Sequence, residues 1–183
     1  MPDKILVGGA VAMAAVLAAS NVLVLFPLGE WLTWAAFSYP LAFLVTDCAN
    51  RAAGPKCAQK IVLAGFIIGA PLSFFANFYG AGETALVAGR IAAASGAAFA
   101  AAQLLDIAVF HRLRRAKWWL PPLASSAPAS VVDTFLFFAL AFAGAGLPWA
   151  QWAAGDLAAK ALMILLLLPP YRILTFRLSA AAR

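Results

Sequence analysis

The stretch "RIAAASGAAFAAAQLLDIAVFHRLRR", from Arg90 to Arg115, is mostly apolar and ends in a dense cluster of positive charge. A helix rises about 1.5 Å per residue, so roughly 20 apolar residues cross the hydrocarbon core of a bilayer, which is about 30 Å thick. The stretch is therefore long enough to span a membrane as one helix. Its small residues, Ala92–Ala102, let neighbouring backbones approach closely, since packing joins helices in lipid. We expect this helix at the centre of a bundle.

The composition of the whole chain points to the membrane as its main solvent. Hydrophobic residues make up 65% of the chain and charged residues 11%, against roughly 45–50% and about 25% in soluble proteins. The sequence predicts an all-α membrane protein with six transmembrane helices in a single domain, residues 1–183. The first apolar run begins like a secretory signal, but it is long for one, and we interpret it as the first span. The six predicted spans are Ile5–Leu25, Thr33–Asn50, Ile61–Tyr79, Leu86–Phe110, Ala124–Ala145 and Gly155–Leu174.

The basic residues predict the orientation of these spans. Of the 13 lysines and arginines, all but Arg90 and Lys160 fall on one side of a six-span arrangement. Basic loops stay on the cytoplasmic side, so both termini of this multi-pass protein are predicted to be cytoplasmic. The basic residues on that side are Lys4, Arg51, Lys56, Lys60, Arg112, Arg114, Arg115, Lys117, Arg172, Arg177 and Arg183.

The basic segment His111–Trp119 is interpreted as an anchor to the lipid bilayer, with interfacial tryptophans, and not as a nucleic-acid site. Cys48 and Cys57 match no metal-binding spacing. We therefore expect no direct nucleic-acid partner, no metal and no cofactor.

Two basic residues, Arg90 and Lys160, lie inside apolar runs, near the outer ends of the fourth and sixth spans. Asn21, Ser38 and Asp156 fall at the same predicted depth. Because intramembrane ionisable residues usually face a cavity or a substrate path, these five residues predict an outward-opening binding pocket. In the alternative interpretation, Asp156 and Lys160 merely pair at i and i+4, and Arg90 extends to the membrane surface.

Further polar residues lie deeper in the predicted bundle. Asp133 is near the bilayer midplane, where it forms either the floor of the binding site or a bond to a hydroxyl on another helix. Gln103 is assigned to the substrate-binding set. Asp47 and Asp106, in the inner half, are interpreted as a polar path or as helix clamps, and Arg51, four residues after Asp47, offers it an ion pair.

Aromatic residues near these positions are candidates for stacking on a flat ligand, with ordinary packing as the alternative. These candidates are Phe37, Tyr39, Phe74, Tyr79 and Phe135.

The chain resembles the vitamin-uptake-transporter family of bacterial queuosine precursor transporters. The resemblance covers nearly the whole chain and rests on the ordered motifs S-x-P, T-D-x-x-x-R, R-I-A, Q-x-x-D and V-D-T. The matching stretches are "SNVLV" (Ser20–Val24), "TWAAFSYPLAFLVTDCANRAAGP" (Thr33–Pro55), "GRIAAASGAAFAAAQLLDIAVFHRLR" (Gly89–Arg114), "WWLPPLASSAPASVVDTFLFF" (Trp118–Phe138) and "DLAAKALMILLLLPPY" (Asp156–Tyr171).

The resemblance implies six helices in a fold similar to the substrate-binding components of energy-coupling-factor importers. It also implies import of 7-deazaguanine bases, such as 7-cyano- and 7-aminomethyl-7-deazaguanine, for queuosine in transfer RNA. An alternative is a substrate-binding component for another small vitamin-like molecule. A homodimer and a separate energising partner are left open.

No catalytic residues are expected. The sequence contains neither HExxH nor GxSxG, and its one histidine, His111, lies in the basic loop. We therefore expect a transporter and not an enzyme.

Overall fold

The computed structural model describes residues 2–180. Met1 and residues 181–183, which include the predicted cytoplasmic residue Arg183, lie outside the described residues. The chain folds into helices apart from one short antiparallel hairpin, in which Pro27 pairs with Thr33. The elements in chain order are α1 (Pro2–Leu23), β1 (Pro27–Leu28), β2 (Leu32–Thr33), α2 (Ala35–Ser38), α3 (Leu41–Ala53), α4 (Pro55–Phe75), a π-helical turn (Ala76–Gly80), α5 (Ala85–Leu113), α6 (Leu120–Phe142) and α7 (Trp149–Ala180).

Five helical segments within residues 2–180 are long and apolar enough to cross a membrane. They confirm the helical character of the first, third, fourth, fifth and sixth predicted spans. Each contains at least 21 residues, and about 20 are needed to cross the hydrocarbon core. The segments are Asp3–Leu23, Pro55–Gly80, Ala85–Leu113, Leu120–Phe142 and Trp149–Leu178.

The second predicted span, Thr33–Asn50, is not one continuous helix. Its first residue belongs to the hairpin, α2 has only 4 residues, and α3 has 13. The reason is Pro40, which has no N–H to donate to the carbonyl of Ala36 four residues earlier. After this break, Ala42 N–H bonds the carbonyl of Tyr39, three residues back, so the chain turns more tightly before α3 begins. At about 1.5 Å per residue, α3 alone is roughly 20 Å long, less than the hydrocarbon thickness.

The α5 helix lies at the centre of the bundle, as its small residues predict. Half of its apolar window is buried, a larger share than in any other membrane-crossing segment of residues 2–180. It packs against α3, α4 and α6. At Gly96 a Cβ would lie 3.1 Å from the ring of Phe66, so the absence of a side chain allows α4 and α5 to approach closely.

The basic loop after α5 meets the end of α3. The Arg51 guanidinium donates to the carbonyl of Arg114, and the Arg114 guanidinium donates to the carbonyl of Arg51 at 3.3 Å. Two of the predicted cytoplasmic loops therefore lie together at one end of the bundle.

Candidate functional site

A cavity of about 370 Å³ lies at the opposite end of the bundle, beneath the hairpin. Its volume is within the range of small-molecule sites, roughly 300–1,000 Å³. The hairpin is seated closely on α7, because a Cβ at Gly155 would come within 2.9 Å of the Trp31 carbonyl oxygen. The polar residues that line the cavity are Ser20, Asn21, Glu30, Thr33, Tyr39, Ser73, Asn77, Ser95, Asp133, Asp156 and Lys160.

The strongest electrostatic feature of the cavity is a buried cluster around Lys160. Its Nζ lies 2.7 Å from Asp133 Oδ2 and 2.6 Å from Asp156 Oδ2. It also donates to Thr134 Oγ1 at 3.0 Å, and that hydroxyl donates to Asp156 Oδ2 at 2.7 Å. Lys160 and Asp133 are each only 4% exposed. With both carboxyl groups ionised, the cluster carries one net negative charge.

Three predicted site residues, Asp133, Asp156 and Lys160, are thus brought together in direct contact. The Asp156–Lys160 pair of the alternative interpretation is present, but both residues also line the cavity. Asp133 bonds the lysine of α7 through Oδ2, and it likewise lines the cavity.

Asn21 and Ser38 are placed at the same end of the molecule. Asn21 lines the cavity and donates through Nδ2 to the Leu17 carbonyl at 2.9 Å. Asn77 makes the same kind of bond to the Ser73 carbonyl at 2.8 Å. Each bond uses one of the two amide N–H groups, so one N–H donor and the amide oxygen of each asparagine remain for a ligand. Ser38 reaches the cavity indirectly, since its hydroxyl lies 2.8 Å from that of Ser20.

Arg90 and Gln103 are not brought to the cavity. Arg90 is exposed and bonds the Leu140 carbonyl at 2.8 Å and the Ala143 carbonyl at 2.7 Å. The last carbonyls of a helix lack partners within it, so Arg90 ties the end of α6 to α5. Gln103 is fully buried below the cavity, where its Oε1 accepts a 2.6 Å bond from Thr46.

Of the five stacking candidates, Tyr39 lines the cavity, and Lys160 Nζ lies 5.6 Å from its ring centre. The other four do not line it. Phe37 packs against Trp34, and Phe74 stacks on Phe78. Tyr79 and Phe135 are 74% and 62% exposed on the outer surface of the bundle.

The sequence interpretation missed the aromatic residues that do line the cavity: Trp31, Phe137, Phe138, Phe142 and Trp152. Phe137 follows Asp133 by four residues and so lies on the same helix face, a signal that was available in the sequence. Trp31 lies in the hairpin and Trp152 in the first turn of α7. The positions of these two elements depend on tertiary packing, which the sequence does not show.

A second, smaller cavity of about 20 Å³ lies toward the other end of the bundle, and Asp47, Ser126 and Tyr171 are among its lining residues. Asp106 is fully buried nearby and accepts a 3.1 Å bond from Ser126. The ion pair predicted as an alternative, Asp47 with Arg51, is not formed. Within residues 2–180, both ion pairs involve Lys160.

A helical membrane bundle that holds a cavity of this size around buried charges defines a membrane protein built to bind a small polar molecule. The chain belongs to the family described as "Putative vitamin uptake transporter", whose model matches residues 33–174. It is therefore a transporter, a multi-pass protein of the bacterial inner membrane that is surrounded by lipid and carries a small molecule.

Two curated relatives are similar over most of their length. The "Queuosine precursor transporter" of Escherichia coli is 38% identical in an alignment of 179 residues that covers 87% of this chain and 81% of that protein. The "Probable queuosine precursor transporter" of Haemophilus influenzae is 35% identical in an alignment of 158 residues that covers 77% of this chain and 67% of that protein. No solved structure matches this chain.

Proposed function

We propose that this chain imports queuosine precursors, 7-deazaguanine bases such as 7-cyano- and 7-aminomethyl-7-deazaguanine, for queuosine modification of transfer RNA. The observation that carries the proposal is the acceptor-rich cavity. Asp133, Asp156 and the amides of Asn21 and Asn77 offer oxygen acceptors around one lysine. The names of the two relatives support the same substrate.

The chemistry of a 7-deazaguanine fits these groups. Its guanine-like edge has adjacent N–H donors, which suit a carboxylate, and a carbonyl, which suits an amide N–H. The second N–H groups of Asn21 and Asn77 can supply that donor, because the three N–H groups of the Lys160 ammonium already have acceptors. We assign Asp133 to the donor edge, since Lys160 engages its Oδ2 alone. Tyr39 and the ring pair Phe142–Trp152, with centres 5.6 Å apart, supply flat apolar surface for the base.

The remaining site residues have supporting roles in this proposal. Ser38 positions Ser20, Arg90 holds α5 and α6 together, and Gln103 fastens α5 to α3 through Thr46. No residue acts as a catalyst, and no cofactor takes part.

We propose that α2 and α3 together form the remaining crossing, which makes six in one domain. An even number of crossings places both termini on one side, and the basic loops favour the cytoplasm. The cavity then opens outward. The similarity to the fold of energy-coupling-factor binding components stays a prediction.

Import is tested in bacterial cells that cannot make the precursor. The cells express the wild type or Lys160→Met, and queuosine in their transfer RNA is measured at limiting external 7-cyano-7-deazaguanine. We expect the wild type to restore queuosine and Lys160→Met to fail. The matched control is Lys117→Met, which alters an exposed loop lysine. Absence of queuosine with the wild type, despite the protein reaching the membrane, contradicts the proposal.

The family description favours a second candidate, a substrate-binding component for another small vitamin-like molecule that depends on a separate energising partner. Liposomes that contain only the purified chain distinguish the two candidates. Transport by the chain alone supports an independent transporter, and its oligomeric state in detergent tests for a homodimer. Binding without transport favours the second candidate.

A further inference from the structure

Several buried polar atoms below the substrate cavity lack hydrogen-bond partners within residues 2–180. Most buried polar atoms in proteins are paired, so a group of exceptions in one region needs an explanation. All of these atoms lie on α3, α5, α6 and α7. They are Asp47 Oδ1, Asn50 Oδ1, Gln103 Nε2, Asp106 Oδ2, Ser130 Oγ and the Tyr171 hydroxyl.

Two of these atoms belong to carboxyl groups in contact. The side chains of Asp47 and Asp106 lie within hydrogen-bond reach of each other, and they are 3% and 0% exposed. Two ionised carboxylates at this distance would repel each other strongly without water. A single proton shared by the two carboxyl groups gives one of them an O–H donor to the other, and it neutralises one of the two negative charges.

No ion pair within the described residues neutralises these carboxyl groups. On α3, the guanidinium of Arg51 is bonded to the Arg114 carbonyl instead. From α6, the contacting groups Ser125 and Ser126 are hydroxyls. The other titratable or charged groups of the surrounding elements at this end are Cys48 on α3, Tyr171, Arg172 and Arg177 on α7, Cys57, Lys56 and Lys60 on α4, His111 and Arg112 on α5, and Asp3 and Lys4 on α1. Of these, the charged ones are exposed.

The carboxyl pair also has polar neighbours that can pass a proton. The 20 Å³ cavity beside Asp47 has room for about one water molecule, and the unpaired Tyr171 hydroxyl lies at its wall. On α6, Ser126, Ser130 and Asp133 are spaced i, i+4 and i+7, so they share one helix face. This face extends roughly 10 Å from the carboxyl pair to the substrate cavity.

We propose that the Asp47–Asp106 pair binds one proton, and that this proton crosses the membrane with each substrate molecule. The proposal rests on the proposed import of 7-deazaguanines. The proton enters from the outer aqueous phase, binds between the two carboxylates as the substrate loads, and leaves to the cytoplasm when the substrate is released. No covalent bond to the substrate forms or breaks, and the proton gradient supplies the energy.

The same helices connect the two sites. Tyr39, at the cavity, precedes the break at Pro40 that leads directly into α3, which carries Asp47. The α5 helix carries both Ser95, in the cavity wall, and Asp106. A substrate in the cavity therefore contacts the two helices that carry the carboxyl pair, and in this proposal a shift of either helix alters the spacing of the pair.

The test uses liposomes that contain the purified full chain and radiolabelled 7-cyano-7-deazaguanine, a neutral base, with the membrane potential clamped at zero. If one proton moves with each base, a gradient of one pH unit, acidic outside, holds about a tenfold accumulation. We expect this accumulation in the wild type and its loss on adding a protonophore. Asp106→Asn and Asp47→Asn should still exchange labelled for unlabelled base across the membrane but should not accumulate it. Glu83→Gln, which changes an exposed loop carboxylate, is the matched control.

The outcomes separate the proton proposal from the transport proposal. Exchange by the wild type without accumulation, or accumulation driven by a sodium gradient alone, overturns the proton proposal and leaves transport intact. No exchange by the wild type overturns the proposed function. Infrared difference spectra provide a measurement that does not depend on transport. The wild type should show a protonated carboxyl band that shifts in D₂O, and folded Asp106→Asn should lack this band. Absence of the band from the wild type overturns the proposal that the two carboxyl groups share a proton.

Discussion

Replacing Lys160 by methionine removes the one cation that contacts Asp133 and Asp156 within the described residues, and it should destabilise the protein strongly. Both Oδ2 atoms lie within 2.7 Å of Nζ, so they are no more than about 5 Å apart. Two unit charges at that distance repel by about 3 kcal/mol at an effective dielectric constant near 20. Breaking a buried ion pair by removing one partner typically costs about 3–5 kcal/mol, and the calculated repulsion falls within that range.

The measurement is the thermal stability of purified Lys160→Met in detergent, followed by the loss of monodisperse protein on heating. We expect a clearly lower midpoint than in the wild type. The double variant Lys160→Met with Asp156→Asn removes the repulsion and should regain part of the loss, because Asp133 stays buried without a cation. Lys117→Met is the control for the loss of a lysine as such. A single variant as stable as the wild type, or a double variant no more stable than the single one, refutes the electrostatic explanation.

Other substitutions test individual parts of the site. Asp133→Asn exchanges an acceptor for a donor opposite the N–H groups of the base. Equilibrium binding of 7-cyano-7-deazaguanine should therefore weaken by about 2–4 kcal/mol, roughly 30- to 1000-fold. Unchanged affinity with lowered stability would show that Asp133 holds helices together and does not bind the base. Arg90→Ala removes two bonds to the end of α6 and should lower stability by about 1–3 kcal/mol without changing affinity, so a large affinity loss at normal stability would return Arg90 to the binding site. Tyr39→Ala should weaken binding up to about tenfold if the ring stacks on the base, while Phe135→Ala, on the exposed surface, should not, and equal effects would contradict the assignment. A reporter fused after Arg183 should be active in the cytoplasm, and a periplasmic signal would contradict an even number of crossings.

The helical spans were predictable because crossing lipid imposes a length and a composition that the sequence records directly. Five apolar runs became long helices, and the small residues of Ala92–Ala102 marked the central one. The prediction of one continuous helix for the second run was wrong, because hydropathy counts apolar residues but does not show where Pro40 interrupts the backbone hydrogen bonds of the helix.

The charged part of the site was more predictable than its aromatic part. Charges are rare in lipid, so Asp133, Asp156 and Lys160 stood out, and the i,i+4 spacing anticipated one of the two ion pairs. Phenylalanines face lipid and cavities alike, so the sequence could not separate Phe135, on the surface, from Phe137, in the cavity wall. Arg90 was placed at a plausible depth, but the carbonyl groups it bonds become visible only when the end of α6 is located.

The shortness and burial of α3 affect how the bundle can change shape. Seven of its 13 residues are buried, and it contacts α1, α4, α5, α6 and α7. Sliding such a segment past its neighbours exchanges one set of protein contacts for another and exposes little new surface to lipid. The barrier to this movement is then set by side-chain packing inside the bundle, and the thickness and fluidity of the surrounding bilayer have little influence on it.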